Sequence, residues 1–308
     1  MHQPGDPRRA SIDDRTPVTG SIDSPLVILS PHLDDAVLSC WHLLDGPGDV
    51  RVVNVFAGKP PPDAAAGWWD ELSGRRDPGQ AVNERMAEDR AALALAGRAP
   101  VNLDFLDHQY RRCDQPLAPV VRALRAALAP GALVLAPCAL GPALHAPIAR
   151  EAGTEPHPDH VAVRSAALAL RSEGLAVALY ADFPHAGAYG LPAWVTGQGN
   201  DAGADPWAAT LATIGVPHDQ LIAEVCRLTP SAFTRKLQAA RRYATQIAAL
   251  ERAFARSLDD PALLGYEVVW RLPETIHPRV GEAGALPPDS CPDTGPDPRL
   301  LTDLGPPE

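Results

Sequence analysis

The chain lacks any apolar run near the roughly 18 residues that a membrane-spanning helix needs. Its opening, MHQPGDPRRASIDDRTPVTG, has none of the apolar character of a secretory signal, so a cytoplasmic location is the expectation. No CxxC pair occurs among the five scattered cysteines, Cys40, Cys113, Cys138, Cys226 and Cys291. That argues against both a thiolate zinc knuckle and a disulfide framework, and it makes the cysteines small core residues or bystanders. Lysines are few and no basic stripe is visible. A formal net charge of -11 argues against nucleic acid and anionic membrane surfaces as partners. There is no GxGxxG after the first strand-like run, so a dinucleotide is not indicated, and no internal repeat.

What is present is 308 residues, 45% of them hydrophobic, enough for one large α/β domain or two small ones with a proper core. Residues 1–24 and the Pro-dense stretch 274–308 bury too little apolar surface to offset their ordering entropy and are expected to be mobile. Between them, over 25–273, short β-rich runs (26–30, 50–56, 101–105, 132–136 and 176–180) alternate with segments of helical spacing. That rhythm predicts right-handed crossovers and a Rossmann-like three-layer α/β/α domain with a mostly parallel sheet. One long helix over 231–255 and a strand over 265–272 complete it at the C-terminal end, and long loops are expected at 57–80, 137–156 and 183–230.

Two clusters at strand ends carry chemistry. VILSPHLDDAVLSC (27–40) places His32, Asp34 and Asp35 where the first strand turns into a helix, and HPDH places His157, Asp159 and His160 after the fourth strand. Alone, an Asp pair before a helix is a capping pattern and an HxxH is ordinary surface; in such a sheet, however, both turns face one crevice. Two histidines and a carboxylate with an open fourth position form a ligand set for catalytic zinc. Residues 32 and 35 can share an ion while Asp34 stays unligated, which is what a general base beside an activated water requires. Of His157 and His160, one can ligate while the other lies across the site as a cation.

The motifs SPHLDDAVLS and HPDH resemble the two signatures of the PIG-L/LmbE-like family of zinc-dependent N-acetylglucosaminyl deacetylases. Weaker similarity runs over 25–272 through RMAEDRAALALAG, FLDHQYR, LYADFP, KLQAARRYATQ and GYEVVW. The resemblance implies that His32, Asp35 and His160 hold Zn2+, with Fe2+ the alternative in the cell, and that Asp34 is the general base. It implies that His157 polarises or protonates the amide and that Asp159 orients His157. Arg85 matches a family arginine that meets a substrate hydroxyl or phosphate; paired with Glu88 or Asp89 it would merely be a solvated side chain. Asp107, Tyr110, Arg111 and Asp182 are further rim positions for substrate. Other histidines, His42, His108, His145 and His185 among them, are given no ligand role.

The variant motifs are similar to the branch that deacetylates GlcNAc-bearing natural products, which implies a small-molecule N-acetylated amino sugar as substrate. Trp68, Trp69, Tyr189, Trp194 and Trp207 in the long loops offer stacking faces, or ordinary loop packing. Ala36 and Leu33 replace the family's usual Glu and Pro, and the link before HPDH is lengthened by about a dozen residues, which bears on how the wall beside His157 is built. The competing expectations are a thiol-conjugate amidase of the same family and a non-catalytic metal- or sugar-binding protein. Oligomeric state is not readable.

Overall fold

The structure is a computed structural model that describes residues 24–140, 156–187, 190–197, 205, 207–215 and 221–272. The 1–24 and 274–308 segments lie outside these residues apart from Ser24, as do His145, Tyr189 and most of the 137–156 link.

β1 (Leu26–Ser30) is followed by α1 (Asp35–Ser39) and α2 (Trp41–Leu44), then by β2 (Val50–Asn54), α3 (Trp68–Leu72) and α4 (Pro78–Ala94). β3 (Pro100–Asn102), α5 (Leu117–Ala127), β4 (Leu133–Pro137), α6 (Pro158–Ser172) and β5 (Ala176–Tyr180) continue the alternation. The later elements are α7 (Ala193–Thr196), α8 (Ala208–Ala212), β6 (Ile222–Arg227), α9 (Pro230–Ala240), α10 (Ala244–Phe254), α11 (Pro261–Leu264) and β7 (Tyr266–Arg271). The seven strands lie in the order β3-β2-β1-β4-β5-β7-β6. The first five are mutually parallel; at one edge β7 pairs antiparallel with β5, and β6 pairs antiparallel with β7. This is the expected three-layer α/β fold.

Alternation along β1 explains the layering. Val27 and Leu29 face one core with Val120 and Leu124 of α5 and Val163 and Leu170 of α6. Leu26 and Ile28 face the other, with Val37 of α1, Trp41 of α2 and Leu93 of α4. Every residue of β1 is buried, and each such aliphatic side chain contributes roughly 1.5–3 kcal/mol by leaving water. The order reverses between β1 and β4, so the ends of these two strands open the crevice in which a doubly wound sheet binds its ligand.

Four expectations need correction. The first helix is two, because the backbone amides of Trp41 and His42 are taken by the Glu267 carboxylate of β7, both at 2.9 Å, and the chain breaks at Cys40. The helix over 231–255 also breaks, at Arg241–Tyr243, where Tyr243 and Thr245 are tied to α4. The loops at 57–80 and 183–230 contain α3, α7, α8 and β6, and the strand expected at 101–105 is only Pro100–Asn102. Cys40 and Cys138 are free and buried, and Cys226 is free and partly buried. Among the described residues no helix is long and apolar enough to cross a membrane.

Candidate active site

The turn after β1 is braced by its own side chains. Ser30 Oγ donates to the His32 carbonyl at 2.6 Å and accepts the Ala36 amide at 3.0 Å, so Ser30 satisfies the start of α1. Asp35 Oδ2 accepts the His32 amide at 2.8 Å. Asp34 occupies the N-cap position, yet its side chain makes no capping bond. Its buried carboxyl lines the cavity instead. Capping, the bland explanation of the Asp pair, therefore does not account for Asp34.

Across the crevice, His157 caps α6 and its Nδ1 accepts the Asp159 amide at 3.2 Å. His160, one turn further in, is 1% exposed. The donor atoms of His32, Asp35 and His160 all lie within 4.8 Å of one another, and both imidazoles stand 3.5 Å from Asp35 Oδ2. His160 Nε2 is buried without a hydrogen-bond partner. An orphaned ring nitrogen beside a carboxylate and a second imidazole fits a divalent cation of the zinc class. Each imidazole is backed by a carboxylate: His32 Nε2 reaches Asp159 Oδ2 at 3.0 Å, and His160 Nδ1 reaches Asp182 Oδ1 at 3.1 Å.

His32, His157 and Asp159 also approach within 4.8 Å, sharing His32 with the first set. Asp159, however, is already spent. Its Oδ1 takes the Arg111 guanidinium at 2.5 Å, and its Oδ2 takes the His108 amide at 2.9 Å besides His32. The first set alone keeps an unused donor at its centre.

Charge follows from this packing. Burial opposes a charged His32, but Asp159 and Asp35 outweigh it and its pKa lies well above the usual value. His160 is raised in the same way, with Asp35 and Asp182 overcoming burial. Burial also opposes the charge on Asp35, yet His160 and His32 hold its carboxyl low. Asp34 is pushed up to about 7, by burial first and by the charge of Asp35 next. His157 departs from expectation: burial, then the neighbouring His32, His160, His185 and His108, press its pKa well below the usual value. It is a neutral imidazole here, not a cation. With Nδ1 accepting, its proton sits on Nε2.

The remaining sequence candidates separate. Arg85 and Asp107 line the cavity. Arg85 pairs with Asp70 at 2.5 Å rather than with Glu88 or Asp89. Tyr110 also donates to Asp70, at 2.7 Å, and is not among the lining residues. Arg111 is turned inward, bridging Asp159 and the Leu106 carbonyl over the Phe56 ring, so it braces the site from behind. Asp182 is fully buried behind His160 and cannot be a rim residue. The carboxylate of Asp159 serves His32 and Arg111; only its backbone amide meets His157. Trp68 and Trp69 line the cavity, whereas Trp207 is buried and packs edge-to-face with Trp194 and Trp270. The sequence reading missed Asp70, Gln109 and Gln246, and it named His185 without giving it a role. Gln109, His185 and Gln246 line the cavity, and they come from segments remote from one another in the chain.

The sequence matches no protein-family model and no curated protein. Solved structures do match. A triple mutant of the deacetylase Orf2 of teicoplanin biosynthesis is 29% identical with a TM-score of 0.57, over 80% of this chain and 97% of its own. The A40926 pseudoaglycone deacetylase Dbv21 is also 29% identical, with a TM-score of 0.57, over 82% of this chain and 98% of its own. A zinc-inhibited form of teicoplanin deacetylase Orf2 is 26% identical with a TM-score of 0.56, over 80% and 97% of the two chains.

Proposed function

Because this chain belongs to the PIG-L/LmbE-like family, we propose that it hydrolyses the N-acetyl group of an amino sugar carried by a small molecule such as a glycopeptide pseudoaglycone. The observation that carries this reading is Asp34, a cavity-lining carboxyl released from capping and set beside the His32, Asp35 and His160 donors.

His32, Asp35 and His160 would hold zinc, or iron(II) in the cell. When bound, the ion polarises the acyl carbonyl and lowers the pKa of water. Asp34 takes the proton of the attacking water; with a pKa pushed up to about 7, it can hold that proton and pass it to the departing amine at neutral pH. The Nε2–H of His157 donates to the oxygen on which charge develops as the carbonyl carbon becomes tetrahedral. Collapse then breaks the C–N bond and yields the free amino sugar and acetate. Arg111, through Asp159, keeps His32 in place, and Asp182 does the same for His160. Trp68 and Trp69 supply an aromatic wall for the sugar.

The test is metal content and amine release, measured together on protein purified without chelator. Wild type should carry about one ion per chain, as befits one three-residue ligand set, and His160→Ala should lose it. Asp34→Ala should keep the ion while turnover of N-acetylglucosaminyl compounds falls by about two orders of magnitude or more. Loss of the ion in Asp34→Ala would make Asp34 a ligand and end its role as base. A metal-loaded wild type that releases no amine from any such compound would end the deacetylase reading.

A further inference from the structure

Gln246 lies on the first turn of α10, lines the cavity and is 4% exposed, yet its Nε2 is buried without a hydrogen-bond partner. Arg85, on the same cavity wall, is in the same condition at Nε. Buried donors are satisfied almost everywhere in folded proteins, and those left open toward a cavity mark where a ligand's acceptor belongs.

The platform that carries Gln246 is fixed. The Thr245 amide and hydroxyl both donate to Glu88, at 2.8 and 2.7 Å, and the Tyr243 hydroxyl donates to Asp89 at 2.8 Å. Asn54 at the end of β2 holds the other oxygen of Asp89 at 2.7 Å. The residues flanking Gln246 are therefore tied to α4, the helix that carries Arg85. The break between α9 and α10 sets Gln246 at the start of a new helix, on the cavity wall.

Charge selects the class of ligand. Arg85 is neutralised by its 2.5 Å pair with Asp70, so its open Nε–H adds no net positive charge. The wall also bears Asp107, whose charge acts on Arg85 together with that of Asp70, whereas Asp34 and Asp35 at the other end face His32 and the proposed ion. A phosphate or carboxylate placed at Arg85 would meet two carboxylates for one guanidinium, whereas a neutral hydroxyl gains both donors at no such cost. Trp68 and Trp69 add the apolar face that a sugar ring uses.

We infer that Gln246 is a substrate-binding residue that donates to a sugar hydroxyl and, with Arg85, makes the site select neutral over phosphorylated N-acetylhexosamines. The inference rests on the proposed function for the bond that is cut, but not for binding.

The test uses calorimetry with N-acetylglucosamine and its 6-phosphate on zinc-loaded protein carrying Asp34→Asn to stop turnover, with and without Gln246→Leu. Steady-state kinetics in the active background run alongside. Gln246→Leu should weaken neutral-sugar binding and raise KM about tenfold, with kcat changed by less than about threefold. The phosphorylated sugar should bind the parent protein at least about tenfold more weakly than the neutral one. Gln246→Glu, which keeps the length but loses the donor, should show the same loss and serves if the leucine variant does not fold. An unchanged Kd and KM in a folded variant, a preference for the phosphate, or no binding of either sugar would overturn the inference. Weaker binding in the variant, with no amine release by wild type, would remove the deacetylase reading and leave Gln246 standing. Amine release with an unchanged KM would do the reverse.

Discussion

Replacing Asp182 with asparagine removes one charge and almost no volume, and it should cripple metal binding from a position that never touches the metal. Asp182 Oδ2 accepts the Leu140 amide at 2.6 Å, and Oδ1 faces His160 Nδ1 at 3.1 Å. A carboxylate satisfies both, and it holds the His160 proton on Nδ1 so that Nε2 presents its lone pair. An amide cannot do both. With its oxygen toward Leu140, its NH2 faces Nδ1 and favours the tautomer protonated at Nε2, which cannot ligate. Turned round, it sets NH2 against the Leu140 amide, two donors head to head in a fully buried pocket. Loss of such an outer partner lowers metal affinity by about 10–100-fold. That corresponds to about 1.4–2.7 kcal/mol. Competition with a chromogenic chelator reads the zinc Kd directly, and a metal-free melting curve separates ligation from folding. An Asp182→Asn protein that melts normally and binds zinc within about twofold of wild type would refute the tautomer argument.

Two further predictions concern the buried ion cluster under α2. Lys236 and Glu267 are both fully buried and 2.7 Å apart, and His42 joins Glu267. Lys236→Ala should cost about 3–5 kcal/mol in urea unfolding, because it strands a buried carboxylate; a loss below about 1 kcal/mol would mean that His42 carries the neutralisation alone. Burial opposes the charge on Glu267, but Lys236 and His42 outweigh it and bring its carboxyl down to about 2 in the folded chain, below its ordinary 4.5. Its contribution is therefore complete above about pH 4.5 and disappears as pH falls toward 2. The urea midpoint should drop from pH 5 to pH 3, and Glu267→Gln should flatten that drop. An equal drop in the variant would assign the acid sensitivity elsewhere.

Local pattern makes the five parallel strands and the two strand-end motifs legible. Near-continuous apolar runs mark strands buried on both faces, and a histidine beside paired carboxylates is costly anywhere but a strand-end turn. Depth and partnership are less visible. LYADFP places Asp182 just past β5, but only the Leu140 amide and His160, brought from other segments, show that it points inward. The HPDH motif does not announce a neutral ring, since burial determines it first, with His160 on the same helix and His32, His185 and His108 brought from other segments. Gln246 looks like any polar residue of a long helix until the break at Arg241–Tyr243, caused by Glu88 and Asp89 in α4, sets it at the start of a new helix on the cavity wall. The break at Cys40 is hidden likewise, because its cause is Glu267, at the other end of the chain.

The turn after β1 is held by Ser30, by the Asp35 bond to the His32 amide, and by a β-strand at full burial. None of these bonds needs an ion. A metallodomain whose ligands are placed before loading does not depend on metal for its folding, unlike one whose ion is its staple. The ion then becomes an exchangeable part, chosen by supply as much as by affinity. One preparation of folded, stripped chain could be charged in turn with zinc, iron(II) or cobalt(II), and the visible bands of cobalt would report its coordination while the protein around it stayed the same.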